Sequence, residues 1–166
     1  MFPINYIQNE VFNYIQEREE VTEEAHNKFY RLEKEQSISI SGEGEEWDQA
    51  TLTMQWDGNL ALHLHYRDHN SLIWAANTQI EKRGIVRYKD RMRITEMRDG
   101  RLNVVEHGIA LWGTNNPINS GSYFTLEKSP TTGARIAIYS LSDELVWASD
   151  RDEGIDYNPW QFDAAP

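Results

Sequence analysis

The chain carries one pattern three times, and that periodicity restricts its possible folds more than any other feature. Each copy ends on a hydrophobic residue, a tryptophan and small or polar residues: Leu72-Ile73-Trp74-Ala75-Ala76-Asn77, Ala110-Leu111-Trp112-Gly113-Thr114-Asn115 and Leu145-Val146-Trp147-Ala148-Ser149-Asp150. The tryptophans are 38 and 35 residues apart. Each copy opens on alternating residues, from Leu52, from Ile94 and from Phe124. A unit of this size is a few strands and a turn, and it cannot bury its own apolar face. Units at such a period stack or turn toward a common axis. Trp74, Trp112 and Trp147 are the natural inward residues. A seven-bladed propeller is excluded by the length of 166 residues.

The repeats occupy one part of the chain. From Ser37, Ser37-Ile38-Ser39-Ile40-Ser41 alternates strictly and stops at Gly42, as a strand and turn would. Strands and turns are expected from there on, punctuated by Gly58, Gly100 and Gly133. Before Ser37 the period differs. Ile4, Ile7, Val11, Tyr14, Ile15, Ala25, Phe29 and Leu32 lie near a 3.6-residue spacing, which predicts helix over 4–35. One long helix and a two-helix hairpin with Thr22 as N-cap both fit. The expected organisation is a helical extension over 1–36 for docking or oligomerisation, a β domain over 37–152, and an edge strand or tail over 153–166. Pro159 limits that last segment to an edge.

Net charge is −11. This disfavours non-specific binding to nucleic acid or anionic lipid, which requires positive charge. There is no cysteine, so no disulfide framework. No apolar run approaches a membrane span, and no signal-peptide h-region opens the chain. The expectation is a cytoplasmic protein, or one secreted without a recognisable signal peptide.

Gln55, Asp57, Asn59, Ala61 and His63 fall at every second position of the first repeat. On a strand they would stand in a row on one face, with Leu60, Leu62 and Leu64 on the other. Amide, carboxylate, amide and imidazole form a comb of donors and acceptors suited to sugar hydroxyls. The competing reading is the solvent face of an ordinary half-buried strand.

This segment resembles the Gln-x-Asp-x-Asn-x-Val-x-Tyr signature of the bulb-type (monocot) mannose-binding lectins, over roughly Ser37 to Asp150. The closing Trp pattern is similar too. The resemblance implies a mainly β chain with the β-prism II fold: three four-stranded antiparallel sheets about a pseudo-threefold axis. It also implies mannose recognition by side-chain hydrogen bonds without a metal or cofactor. Gln55, Asp57 and Asn59 match by position, Ala61 replaces Val, and His63 replaces Tyr. The second repeat keeps Asp99, with Met97, Arg101, Asn103 and Val105 in the other places. The third keeps Tyr139, with Glu127, Ser129, Arg135 and Ala137. One surviving site per chain implies a homo-oligomer for useful avidity.

Other chemistry finds less support. His63-x-His65, with His69 nearby, has metal-ligand spacing but lacks a completing carboxylate or thiolate. No phosphate loop, nucleophile elbow or His-Glu-x-x-His is present, so no enzyme is expected. Trp47 and Trp56 fit either stacking platforms for a sugar or turn and core packing. The expected function is binding of mannose-containing glycans. The rival is a protein–protein interaction module on a degenerate lectin scaffold, whose partner is another protein.

Overall fold

A computed structural model describes residues 27–80 and 91–151. In chain order the strands are β1 (Arg31–Leu32), β2 (Ser37–Ser41), β3 (Gln49–Met54), β4 (Leu60–His65), β5 (Asn70–Ala75), β6 (Arg93–Arg98), β7 (Arg101–Glu106), β8 (Ile109–Gly113), β9 (Tyr123–Ser129), β10 (Gly133–Tyr139) and β11 (Leu145–Ala148). They form three antiparallel sheets. Sheet I has the order β2-β3-β4-β5, sheet II β1-β6-β7-β8, and sheet III β11-β10-β9. Among the described residues there is no helix.

Alternation puts one face of every sheet into a shared core. Leu60, Leu62 and Leu64 of β4, Leu102 and Val104 of β7, and Ile136 and Ile138 of β10 belong to one buried cluster. The three tryptophans close it. Trp74 and Trp112 lie 5.5 Å apart, Trp74 and Trp147 6.1 Å, and Trp112 and Trp147 6.4 Å, all edge to face. Each such pair adds about 0.5–1.5 kcal/mol beyond its buried area.

Threefold symmetry extends to the backbone. In each sheet the last strand carries one extra residue just before its tryptophan, at Ile73, Leu111 and Val146. The register shifts opposite Leu62/His63, Val104/Val105 and Ile138/Tyr139 of the partner strand. Just past the tryptophans, the N–H groups of Ala76, Thr114 and Ser149 donate to the carbonyls of Leu60, Leu102 and Ile136. The bulge bends the strand and sharpens its twist, which turns each sheet's end toward the axis. This is a β-prism arrangement.

Two expectations require correction. Among the described residues sheet III has three strands where four were expected, and residues 27–35 are not helical. Phe29 bridges to Phe124 through reciprocal N–H···O bonds of 2.9 Å, with the rings 5.8 Å apart. The chain then leaves β9, and Arg31 and Leu32 pair with Glu96 and Thr95 of β6. Leu32 is fully buried. The spacing of Phe29 and Leu32 suits one helical face, but the two side chains enter separate contacts on an extended strap. A helix here would leave the β6 and β9 edges without these backbone partners, and tertiary pairing overrides local propensity. The strap joins sheets III and II. The rest of the expected helix and the C-terminal strand with Ile155, Tyr157, Trp160 and Phe162 lie outside the described residues.

Candidate functional site

The Gln55–His63 segment is a turn followed by a strand, not one continuous strand. Gln55 N–H donates to the Asn59 carbonyl at 2.9 Å, and Gly58 N–H to that of Gln55 at 2.9 Å. Gly58 has φ of 90°, a conformation glycine adopts without strain. Asp57 accepts the Asn59 N–H at 3.1 Å through Oδ1. Only Ala61 and His63 of the five predicted residues lie in β4. The alternation of the sequence continued through a glycine-containing turn and concealed it.

The five side chains therefore have different circumstances. Asn59 Oδ1 accepts the Thr78 N–H at 3.0 Å. That bond fixes the amide orientation and leaves Nδ2 as a donor that no described residue uses. Thr78 is itself tied down: its hydroxyl donates to the Gly58 carbonyl at 2.7 Å, and Arg93 donates to its carbonyl. Arg93 also pairs with Glu106 at 2.6 Å. Burial opposes the Glu106 carboxylate, but Arg91 and Arg93 outweigh it and hold its pKa below the usual range. Gln55 and His63 are half-buried, and their side chains take no hydrogen bond among the described residues. Ala61 is 1% exposed. It cannot supply the apolar contact to a ligand that the resemblance implies. Trp56, at the turn tip, is 54% exposed, whereas Trp47 is 3% exposed and packs in the core.

Beside the turn, the outer face of sheet I is a carpet of hydroxyls. Ser37 meets Thr53 at 2.7 Å and Ser39 meets Thr51 at 3.2 Å. His65 is held between Thr51 at 3.0 Å and Asn70 at 2.8 Å. His63 stacks beside it at 6.4 Å. Partial burial, then the neighbouring His65, push the His63 pKa below its ordinary value of 6.5. His63 is thus neutral near pH 7, with one ring nitrogen donating and one accepting. The Ser/Thr ladder was visible in the alternation of Ser37–Ser41 and Thr51–Thr53, but was not included among the predicted site residues.

Strand register gives the equivalent positions in the other sheets. Gln55 opposite Asn59 corresponds to Arg98 opposite Arg101 and to Glu127 opposite Arg135. Met97, matched to Gln55 by sequence, instead packs against the core. The β6–β7 turn has two residues, Asp99 and Gly100, where the first repeat has three, and aligning the Asp-Gly pairs shifts the comparison by one. On sheet II, Arg98 donates to the Gly108 carbonyl at 2.9 Å and Arg101 to that of Asn116 at 2.6 Å. Asn103 and Val105 are buried.

Sheet III fills the same positions with an ion network. Arg135 pairs with Glu127 at 2.8 Å and with Asp150 at 3.3 Å. Tyr139 and Thr125 donate to Glu127 at 2.9 and 2.8 Å, and Ser129 donates to Asp150 at 2.5 Å. Burial opposes the Asp150 carboxylate, but Ser129 and Arg135 prevail and its pKa lies below the ordinary range. Burial, then Glu127, raise that of Tyr139. Among the described residues no cluster of three His, Asp or Glu side chains is arranged to hold a metal.

No protein-family description matches this sequence, and no curated protein matches it. Among solved structures, the chain is similar to one described as a Japanese Marasmius oreades lectin. The TM-score is 0.43 and identity 14%, over 74% of this chain and 91% of that one.

Proposed function

We propose that this β-prism is a lectin-like carbohydrate-binding domain that reads mannose-type hydroxyls through the outer face of sheet I. The observation that carries the reading is the difference in hydrogen-bond occupancy between equivalent positions. Arg135 and Glu127 bind each other, whereas Gln55 and His63 leave an amide and a neutral imidazole without partners among the described residues. Asn59 Nδ2 and Asp57 Oδ2 add a donor and an acceptor held by the turn. Holding them before the ligand arrives reduces the ordering cost of binding. Sugar recognition of this kind requires no metal, cofactor or catalytic group. One site per chain is shallow, so self-association would supply avidity.

The rival is a protein-binding module on the same scaffold. The burial of Ala61 favours it, since the apolar contact of the resembled signature is lost. A glycan array probed with the wild-type protein, Gln55→Ala and His63→Ala separates the two. Binding of mannose-terminated glycans by the wild type, abolished in both folded variants, supports the lectin. Silence of the folded wild type across the array sinks it and leaves the protein-binding module.

A further inference from the structure

The turn that carries the sheet I site is fastened from outside its own sheet. Past β5, segment 77–80 bonds along the turn. Thr78 N–H donates to Asn59 Oδ1 at 3.0 Å, the Thr78 hydroxyl to the Gly58 carbonyl at 2.7 Å, and Ile80 N–H to the Asp57 carbonyl at 2.7 Å. Thr78 and Ile80 are buried. The Thr78 carbonyl accepts from Arg93, the first residue of β6 in sheet II. Arg93 also packs against the turn itself: a Cβ added to Gly58 would come within 2.8 Å of Arg93 Cδ. Its guanidinium is held by Glu106 of β7 at 2.6 Å, and Arg91 binds the same carboxylate at 2.8 Å. The side chains of Arg93 and Glu106 are 12% and 13% exposed, a setting in which such bonds strengthen.

The second repeat meets the same need differently. Thr78 stands as far past Trp74 as Asn116 stands past Trp112. The Asn116 carbonyl also accepts from an arginine, here Arg101 at 2.6 Å. Arg101 occupies the position that Asn59 occupies on sheet I. On sheet II the residue at that position is thus taken up by its own following segment. On sheet I the arginine comes from the neighbouring sheet, and position 59 is left to a short amide whose Nδ2 no described residue uses. We infer that Arg93, braced by Glu106, is a positioning residue of the sheet I site. It takes the Thr78 carbonyl, fixes the Thr78 N–H that orients the Asn59 amide, and so keeps Asn59 Nδ2 available to a sugar hydroxyl. The inference rests on the lectin reading of sheet I. A binding group oriented in advance by its surroundings spares the ligand that ordering cost.

The test is an NMR titration of the full chain with methyl α-mannoside, read at the Gln55 side-chain amide, in the wild type, Arg93→Met, Arg93→Lys and Glu106→Gln. Arg98→Met is the charge control, since Arg98 lies in the same strand but bonds the Gly108 carbonyl. Dispersion of the tryptophan indole N–H signals reports that each variant is folded. Arg93→Met should weaken binding roughly two- to tenfold, the cost of ordering one side chain when the ligand arrives. It should also move the Thr78 amide and the Asn59 side-chain amide signals before any ligand is added. Arg93→Lys restores one donor and should recover part of the affinity. Glu106→Gln should bind more weakly than the wild type, and Arg98→Met should bind as the wild type does. A purely structural role would lower the melting temperature of Arg93→Met and leave the affinity of the folded protein unchanged; that result overturns the inference, as does an equal loss in Arg98→Met. If Arg93→Met does not fold, Glu106→Gln decides, and wild-type affinity in that variant overturns the inference. A folded wild type with no shift at Gln55 removes the sheet I reading and this inference with it. A wild type that binds, with Arg93→Met and Glu106→Gln binding equally well, removes this inference alone.

Discussion

Sheets I and III present the same backbone frame and opposite outer faces. On sheet III, Arg135 bridges Glu127 and Asp150, and Tyr139, Thr125 and Ser129 complete the hydrogen bonding. On sheet I the corresponding Asn59 serves a turn, and Gln55 and His63 remain without partners among the described residues. A face whose polar groups satisfy one another contributes to stability. A face that leaves them unmatched keeps donors and acceptors that no described residue uses. Symmetry of the scaffold therefore does not imply three equal sites.

Removing single residues from each face tests this contrast. Arg135→Ala removes the cation that Glu127 and Asp150 share, and for a partly exposed network whose carboxylates keep their hydroxyl donors the cost is about 1–2 kcal/mol. Thermal or urea unfolding should register that loss, with glycan binding per folded molecule unchanged. Asn59→Ala removes the acceptor of the Thr78 N–H and should cost about 1–2 kcal/mol. It should also abolish glycan binding, since the turn and its donor go together. Gln55→Ala should change stability by less than about 0.5 kcal/mol yet lower glycan affinity at least tenfold. A comparable loss of stability in Gln55→Ala and Arg135→Ala would erase the distinction between the faces.

The smallest effect is that of pH. The folded-state pKa of His63 lies below 6.5, so the unfolded chain binds more protons in the window beneath that value. The contribution of neutral His63 is full above pH 6.5 and is lost as pH falls through the folded pKa. His63→Gln should remove that part of the pH dependence of unfolding. An unaltered profile would show that the imidazole is not held neutral by its surroundings.

Much of the scaffold was legible in the sequence. Trp74, Trp112 and Trp147 meet at the axis because a repeat of that length must turn its apolar face inward. The strap at Phe29–Leu32 was not legible, because two contacts three residues apart look the same on a helix and on an extended chain that crosses from one sheet to the next. The comb at Gln55–His63 was half legible. Its residue types were visible, but a three-residue turn preserves the parity of a strand, and that hid which side chains hold the turn. The Arg135 network depends on Asp150, which lies on the far side of a hairpin from Glu127, and no local pattern links them.

The difference between the two faces is tested most directly by an NMR titration of the full chain with methyl α-mannoside, following the side-chain amides of Gln55 and Asn59 and the ring of His63. Saturable shifts at these three residues, with none at Arg135 or Tyr139, are expected. Shifts confined to the sheet III residues, or none at Gln55, Asn59 and His63 in a folded protein, would contradict recognition by sheet I.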